Sequence, residues 1–506
     1  MRDNNFKYGR YIYPDQETRW ADVEEIKKAS TRIDLSQNRY PGAGLPLLSN
    51  GSEAFVDDRD THTLIFGATG SKKTRLFCMP MLNIFAKAGE SFVATDPKGE
   101  LYDKTSGIMK ANGYKIVVLN YRDIGYGDMW NPLALPFVLY RSGQKEEAIS
   151  LLNDFVSTIA EPQFKNTADR FWPEMASSFA LANLLLLMEC AEPNQLNMAS
   201  LAAMCDLDNE NELEALADML PSDSLAKLNY RGVLSSAENT RRSIYASLFA
   251  MIRIFNIQKE LTKMLAGNTF DIADFCRKKT AVYIIVPDEK TTYHFLVSTF
   301  VKQVYEILIS EAQNYPNKSL PIRVNFVMDE FCNIPKIQGM PSMISAARSR
   351  NMRFFLVVQG LHQLQSCYGE DADTIKCNCD NWVFLTSREL ALLKEISELC
   401  GFVYTSDKHS RSLISVSELQ RLDKDKGEAL IMHSRQYPFI SEMADIDMYP
   451  MYKGFHSVEL KKAMTPRLDV FSVKHLYALV KQQKIKVPFD QKYYSLKKSS
   501  WNFDFD

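Results

Sequence analysis

The chain has 506 residues, of which 46% are hydrophobic, and its 60 Lys and Arg against 62 Asp and Glu give a formal net charge of −2. This composition is typical of a globular protein with room for about two to four domains, and it excludes disorder as the main state. The near-zero charge argues against a protein coated in positive potential, so any contact with nucleic acid is expected to use a local basic patch.

No segment of the chain is expected to cross a bilayer. The longest apolar stretch, residues 179–188, is about half of the roughly 20 residues that a spanning helix needs. Nine scattered cysteines in a long chain without a signal peptide favour reduced thiols and a cytoplasmic location. Any association with the cell membrane is therefore expected to be peripheral.

The first 140 residues divide into a polar N-terminal segment, residues 1–60, and the start of an α/β domain, residues 61–140. Short apolar runs at 63–66, 91–95 and 115–119 predict buried strands, and the amphipathic stretches between them predict helices. Alternation of this kind is typical of a mainly parallel sheet covered on both faces.

The middle of the chain, residues 141–270, is predicted to be an all-α domain, with helices at 146–159, 172–189, 210–219 and 240–251. Strand patterns resume in residues 271–450, which are predicted to complete the α/β domain. The predicted strands there are residues 281–286, 323–328, 353–358, 382–385 and 429–432.

Residues 451–506 are predicted to be a basic C-terminal tail, because residues 451–500 carry eleven Lys and Arg against three acidic residues. Such a tail is either a solvated surface segment or a contact for nucleic acid, anionic lipid or an acidic partner.

A Gly-rich turn follows the first predicted strand and opens a helix, which is the context of a phosphate-binding loop. In such a loop, backbone N–H groups wrap the phosphates, a Lys reaches the terminal phosphates, and the next hydroxyl holds Mg²⁺. Spacing assigns the last two roles to Lys73 and Thr74. The usual pattern has Gly where this chain has Lys72, so a plain strand-to-helix turn stays an alternative. The predicted nucleotide contacts in this turn are Gly67, Ala68, Thr69, Gly70, Ser71, Lys72, Lys73, Thr74 and Arg75.

Two adjacent acids, Asp329 and Glu330, end the strand predicted at 323–328. In NTPases the first acid of such a pair orients Mg²⁺, and the second polarises the attacking water. A solvated helix start capped by Asp329 is the alternative, and the phosphate loop earlier in the chain makes it less favoured.

Five further residues are candidates for the same site. Asp96 and Lys98 follow the second strand, where they either cap a helix or line the nucleotide pocket. Gln359 ends the strand predicted at 353–358 and is placed to sense the terminal phosphate or to align water. Arg348 and Arg350 precede that strand, and they are either transition-state arginines that act on a neighbouring subunit or solvated surface residues.

As an ordered set, these motifs resemble the coupling-protein ATPases of type IV secretion and conjugation, over roughly residues 20–450. The resemblance also includes Trp130-Asn131-Pro132-Leu133, Arg170-Phe171-Trp172, Asn378-Cys379-Asp380, Ser412-Leu413-Ile414-Ser415 and Glu418-Leu419. It implies a RecA-like P-loop NTPase domain, interrupted by an all-α domain, that uses ATP and Mg²⁺.

The resemblance also implies an assembly and partners. The implied assembly is a homo-oligomeric ring, a hexamer, that drives DNA or a relaxase–DNA complex (relaxosome) into a secretion channel at the inner membrane. Members of this kind commonly carry N-terminal transmembrane helices, and this chain is expected to dock peripherally on the cytoplasmic side of the cell membrane instead.

Three functions compete at this point. The leading hypothesis is a DNA-translocating coupling ATPase, and the second is a nucleotide-binding recruitment adaptor that hydrolyses little, which the Lys72 departure favours. The weakest is a small-molecule P-loop kinase, since such a kinase needs no long helical insertion.

Overall fold

The computed structural model describes residues 18–165, 168–404, 410–452 and 454–482. These residues divide into two compact units. Unit 1 contains residues 18–122, Ala273–His294 and Tyr305–Glu459, and unit 2 contains Asp123–Ile272, Phe295–Val304 and residues 460–482.

The strands of the described residues all lie in unit 1. In chain order they are β1 (Thr31–Asp34), β2 (Leu45–Ser49), β3 (Glu53–Asp57), β4 (Thr63–Phe66), β5 (Ser91–Asp96), β6 (Lys115–Asn120), β7 (Thr280–Ile285), β8 (Val324–Met328), β9 (Met352–Val358), β10 (Asn381–Phe384), β11 (Phe402–Tyr404), β12 (Ser410–Ser412), β13 (Glu428–His433) and β14 (Phe439–Glu442).

The helices occur in both units. The first eleven are α1 (Val23–Lys28), α2 (Met79–Ala88), α3 (Glu100–Ala111), α4 (Ala134–Arg141), α5 (Lys145–Lys165), α6 (Phe171–Cys190), α7 (Met198–Met204), α8 (Glu210–Met219), α9 (Leu225–Leu234), α10 (Glu238–Ile257) and α11 (Lys259–Met264). The others are α12 (Asp274–Arg277), α13 (His294–Ala312), α14 (Met340–Ala347), α15 (Leu361–Tyr368), α16 (Asp371–Asn378), α17 (Leu390–Leu399), α18 (Val416–Leu419) and α19 (Val473–Lys481).

Unit 1 is built on a large sheet, which has nine strands in the described residues, in the order β14-β13-β10-β4-β9-β8-β5-β7-β6. The strands from β10 to β6 run parallel, and β13 and β14 add an antiparallel edge. Every residue of β4, β5, β8 and β9 is buried. These strands are largely apolar because a parallel sheet is covered by helices on both faces.

The sequence prediction of an α/β fold with a mainly parallel sheet and an all-helical part is confirmed. All eight predicted strands occur, each within one residue of its predicted bounds. The strands not predicted are β1, β2 and β3, which form a separate antiparallel sheet, the edge strand β14, and the β11–β12 hairpin.

The domain boundaries differ from those expected. The predicted N-terminal segment, residues 1–60, is not separate, because its described part, from residue 18, belongs to unit 1 and forms α1 and β1–β3. The helical unit begins at Asp123 rather than at residue 141, and it also includes Phe295–Val304 of α13. The segment before β4 is thus part of the α/β unit.

In unit 2, α6 is, among the described residues, the helix that is long and apolar enough to cross a membrane. Of its most apolar 18-residue window, 61% is buried inside the protein, and α6 packs against α5, α9 and α10. The side-chain amide of Asn183 donates to Phe179 O at 2.9 Å, and its oxygen accepts from the Tyr230 hydroxyl at 2.9 Å. These contacts identify α6 as a core helix of this unit, whose polar residue is satisfied inside the protein.

The predicted basic tail is only partly within the described residues. Residues 460–482 belong to unit 2 and include α19, which packs against α8. The remaining basic residues, from 483 onward, lie outside the described residues.

Candidate nucleotide-binding site

The candidate residues of unit 1 follow four neighbouring parallel strands. β4 pairs with β9, β9 with β8, and β8 with β5. The phosphate loop, residues 67–74, follows β4, Gln359 follows β9, Asp329 and Glu330 follow β8, and Asp96 ends β5. Because the carboxyl ends of parallel strands meet at one edge, the sheet gathers these groups on the side where ligands bind open α/β sheets.

The phosphate loop closes around the side chain of Lys73, which is only 6% exposed. Its Nζ donates to Gly67 O at 2.6 Å and to Ala68 O at 3.4 Å. Position 67 requires glycine, because a Cβ there would lie 2.4 Å from Ser71 Oγ and 2.8 Å from Lys73 Cγ. The Ser71 hydroxyl is buried and makes no hydrogen bond within the described residues. An unsatisfied buried hydroxyl in this loop fits a phosphate oxygen as its partner.

Lys72 has a left-handed backbone, with φ of 65°. This conformation explains why glycine usually occupies the position, since a side chain there is strained. The Lys72 ammonium lies 3.6 Å from Asp425 Oδ1, and the side chain is 32% exposed. Its stem therefore runs away from the interior of the loop, and the loop closes despite the missing glycine.

Thr74 and Asp329 are in direct contact. The Thr74 hydroxyl donates to Asp329 Oδ2 at 2.8 Å, and the Thr95 hydroxyl donates to Asp329 O at 2.7 Å. Burial raises the pKa of Asp329 to about 6, and the Thr74 hydrogen bond opposes that rise. A hydroxyl beside a buried carboxylate is an oxygen donor set that suits Mg²⁺.

Glu330 faces both the loop lysine and Gln359. Its Oε1 lies 3.7 Å from Lys73 Nζ, and its Oε2 accepts from Gln359 Nε2 at 2.9 Å. The backbone of Glu330 is left-handed, with φ of 53°, so the chain turns sharply after β8. The structure thus brings together the predicted residues Lys73, Thr74, Asp329, Glu330 and Gln359.

Asp96 and Lys98 have other surroundings. Asp96 is 1% exposed and accepts a hydrogen bond from Tyr102 N in α3 at 2.8 Å, while burial raises its pKa to about 7. Lys98 is exposed, on a turn whose Pro97 O accepts from Arg122 Nη2 at 2.8 Å. Asp96 therefore fixes the start of α3, which is the structural alternative that the sequence left open.

Arg75 points its guanidinium at two acids near β14. It donates from Nε to Asp445 Oδ2 at 3.1 Å and from Nη2 to Asp447 Oδ2 at 2.6 Å, and Nη2 also contacts Asp445 Oδ1. These bonds tie the first turn after the phosphate loop to the antiparallel edge of the sheet.

Arg348 and Arg350 lie before β9, at the opposite end of that strand from Gln359. Arg348 Nη1 is 2.9 Å from Asp380 Oδ2, and Arg350 Nη1 donates to Ser349 Oγ at 2.6 Å. A seven-residue strand spans about 20 Å, so neither arginine reaches the phosphate loop of its own chain. Arg353, in β9, is fully buried and pairs with Glu90 at 2.6 Å, so its role is structural.

Two polar residues of the site were not predicted. Asn333 Nδ2 lies 3.4 Å from Glu330 Oε2, and Gln363 Oε1 accepts from the backbone N of Gln359 at 3.0 Å. Gln363 follows Gln359 by four residues and Asn333 follows Glu330 by three, so helical spacing is the sequence signal that would have indicated them.

Comparison with known proteins gives a consistent family. Residues 19–431 match the family described as Type IV secretory system Conjugative DNA transfer. The chain is 24% identical to Protein VirD4 of Rhizobium radiobacter over 460 residues, covering 88% of this chain and 63% of that protein. It is 23% identical to Conjugal transfer protein TraG of Escherichia coli, covering 79% of this chain and 66% of that protein. The chain thus spans just under two thirds of the length of these relatives.

Solved structures show the same fold. The plasmid coupling protein TrwB in complex with the non-hydrolysable ATP analogue ADPNP superposes with a TM-score of 0.62 at 14% identity, covering 91% of this chain and all of that one. TrwB in complex with ADP and Mg²⁺ gives 0.60 at 15% identity, covering 88% and 96%. With the family match over more than four fifths of its length, the chain belongs to the type IV secretory system conjugative DNA transfer family.

Proposed function

We propose that this protein is an ATP-dependent coupling protein that recruits DNA or a relaxase–DNA complex and drives it into a type IV secretion channel. The observation that carries the ATPase part is the contact set Lys73, Thr74–Asp329 and Glu330–Gln359 at one sheet edge. The relatives support the nucleotide, since TrwB is solved with ADPNP and with ADP and Mg²⁺. Family membership supports the DNA substrate.

The site residues divide the chemistry as follows. Lys73 exchanges its bonds to Gly67 O and Ala68 O for the terminal phosphates of ATP, and the Ser71 hydroxyl donates to a phosphate oxygen. Thr74 and Asp329 would hold Mg²⁺, which would supply positive charge beside the phosphates. Glu330 accepts the proton of the attacking water, and Gln359 holds the Glu330 carboxylate in place.

The wider assembly is part of the same proposal. The active form is a homo-oligomeric ring, a hexamer, in which Arg348 and Arg350 face the nucleotide of a neighbouring subunit. The partners are the relaxosome and the channel components at the inner membrane, and the protein associates with the cytoplasmic side of that membrane.

A recruitment adaptor with little hydrolysis is the second candidate, and one observation favours it. Lys72 holds a strained left-handed backbone in the phosphate loop. Strain there lowers the stability of the closed loop, by about 1–2 kcal/mol, so a loop that orders only with a partner would bind nucleotide and turn over slowly.

Turnover measured with and without single-stranded and double-stranded DNA separates the candidates. We expect DNA to stimulate ATP hydrolysis, Lys73→Ala to abolish nucleotide binding or turnover, and Glu330→Gln to keep binding while lowering turnover about a hundredfold or more. The exposed residues Lys394 and Glu398 of α17 provide matched controls, as Lys394→Ala and Glu398→Gln. Binding without turnover would favour the adaptor, and an unchanged rate in Glu330→Gln would remove Glu330 from its role.

A further inference from the structure

A ring of hydrogen bonds joins the Glu330 side chain to Gln359, Asn333 and Gln363, and it closes through the backbone N of Gln359. Gln359 Nε2 donates to Glu330 Oε2 at 2.9 Å, and Asn333 Nδ2 approaches the same oxygen at 3.4 Å. Gln363 Nε2 donates to Asn333 Oδ1 at 3.1 Å, and Gln363 Oε1 accepts from the backbone N of Gln359 at 3.0 Å. Gln363 thus contacts both the Asn333 side chain and the Gln359 backbone, and these bonds link the turn after β8 to the turn after β9.

Buried contacts hold the elements that carry the ring. Asn333 O lies 2.7 Å from a ring nitrogen of buried His294, and the other ring nitrogen of His294 lies 2.8 Å from Pro287 O. Phe331 stacks on Tyr368 of α15, with ring centroids 5.2 Å apart and an interplanar angle of 12°. Asn333 and Gln363 are therefore presented by elements that are packed against each other.

The two carboxylate oxygens of Glu330 have different surroundings. Oε2 accepts hydrogen bonds from the Gln359 and Asn333 amides, whereas Oε1 faces Lys73, the residue expected to hold the terminal phosphates. A carboxylate whose one oxygen is fixed by amide donors presents the other in a defined direction. A general base needs that property, because a displacement of about 1 Å can reduce a rate by a hundredfold.

We propose that Asn333 and Gln363 are positioning residues for ATP hydrolysis, which hold Glu330 so that Oε1 faces the attacking water. The inference rests on the proposed ATPase function. It extends that function to two residues that are outside the phosphate loop and are not assigned to the metal. Gln363 acts on Glu330 indirectly, because it holds both the Asn333 amide and the turn that carries Gln359.

The test compares turnover and nucleotide affinity of full-length variants under the condition that gives the highest parent rate. Asn333→Ala and Gln363→Ala are each expected to lower kcat about tenfold or more while nucleotide affinity stays within about twofold. The double variant is expected to be no slower than the slower single one, because both residues act through one ring. Gln365→Ala, an exposed residue on the same helix, is the matched control and should be unchanged.

Gln363→Glu keeps the inference testable if an alanine variant fails to fold. It has the same shape and keeps the acceptor for Gln359 N, but it loses the donor to Asn333, so we expect the same loss of kcat. Losses that multiply in the double variant, or single variants with the parent kcat, would overturn the inference while leaving the ATPase proposal standing. A parent protein without turnover under any condition would overturn hydrolysis and this inference together.

Discussion

Two residues of the candidate site hold left-handed backbones although neither is glycine. Lys72 has φ of 65° and Glu330 has φ of 53°. Such conformations are held by their surroundings and cluster at functional sites. The left-handed backbone of Glu330 has a clear structural benefit, because the turn brings the carboxylate to Lys73 and Gln359. Lys72 forms an ion pair with Asp425, in which that acid is 79% exposed, and an ion pair so open to solvent contributes little.

Replacing Lys72 by glycine should therefore relieve strain without removing a needed contact. We expect Lys72→Gly to raise the free energy of unfolding by up to about 1 kcal/mol, since the greater freedom of glycine in the unfolded chain offsets part of the relief. Nucleotide affinity and turnover should be equal to the parent values or higher. Urea denaturation and an ATPase assay measure the two effects.

A loss of activity in Lys72→Gly, with Lys73→Ala active, would show that Lys72 is the phosphate lysine. Asp425→Ala is the companion variant, because it removes the ion pair but leaves the backbone strain. It should leave stability nearly unchanged.

At the scale of elements, the sequence predicts the strands that follow a regular pattern of apolar runs, and it misses the strands that depend on a partner elsewhere in the chain. The central strands were predictable because they are buried apolar runs with helices between them. β1 was not, because Thr31-Arg32-Ile33-Asp34 has a single buried residue and pairs with β3, whose residues lie about 20 positions later in the chain. β2 contains Pro46 beside an irregularity in its register, which hides the strand pattern.

The candidate site divides in the same way, into residues that the sequence predicts and contacts that only the fold shows. Lys73, Thr74, Asp329 and Glu330 were identified because each stands at a fixed distance from a recognisable strand end. The contact between Gln363 and Asn333 depends on how the turns after β8 and β9 pack, which spacing within one segment does not give. The role of Arg353 also needed the fold, because its partner Glu90 lies more than 200 residues earlier in the chain.

Arg353 and Glu90 tie together the amino ends of three strands. Arg353 donates to Glu90 Oε2 at 2.6 Å and to Asn325 Oδ1 at 2.8 Å, and Arg323 lies 3.3 Å from Glu90 Oε1. Glu90→Ala would leave the fully buried Arg353 without its counterion. We expect a loss of about 3–5 kcal/mol in the free energy of unfolding, because an unpaired buried charge is strongly destabilising.

Urea denaturation and hydrogen exchange of β8 and β9 measure the effect of Glu90→Ala. Glu53→Ala is a matched control, because it breaks an ion pair whose Arg32 side chain is 69% exposed, and it should cost less than about 1 kcal/mol. Glu90 lies at the sheet edge opposite the phosphate loop, so folded Glu90→Ala protein should bind nucleotide as the parent does. A loss of stability no larger than in Glu53→Ala would contradict a structural role for the buried pair.

At the scale of the whole molecule, each chain holds the phosphate loop and the strand-end acids at one edge of its sheet and Arg348 near the other. The seven residues of β9 separate Arg348 from Gln359 by about 20 Å. A transition-state role for Arg348 therefore requires a second copy of the chain, as a ring of subunits provides. Its ion pair with Asp380 leaves the side chain 45% exposed, so the guanidinium is accessible to such a neighbour.

Mixing two variants tests this requirement. Arg348→Ala and Glu330→Gln should each have low turnover, because one lacks the arginine offered to a neighbour and the other lacks its own general base. In equal mixtures, about one quarter of the interfaces would pair an intact Glu330 with an intact Arg348, so activity should rise toward that fraction of the parent rate. The control mixture combines Glu330→Gln with Arg231→Ala, which removes an exposed arginine of unit 2. It should give roughly the rate expected from the Arg231→Ala subunits, which keep Glu330 and Arg348. If the mixture of Arg348→Ala and Glu330→Gln were no more active than the better variant alone, Arg348 would have no role in catalysis. The reason is that Arg348 is too far from the phosphate loop of its own chain to act there.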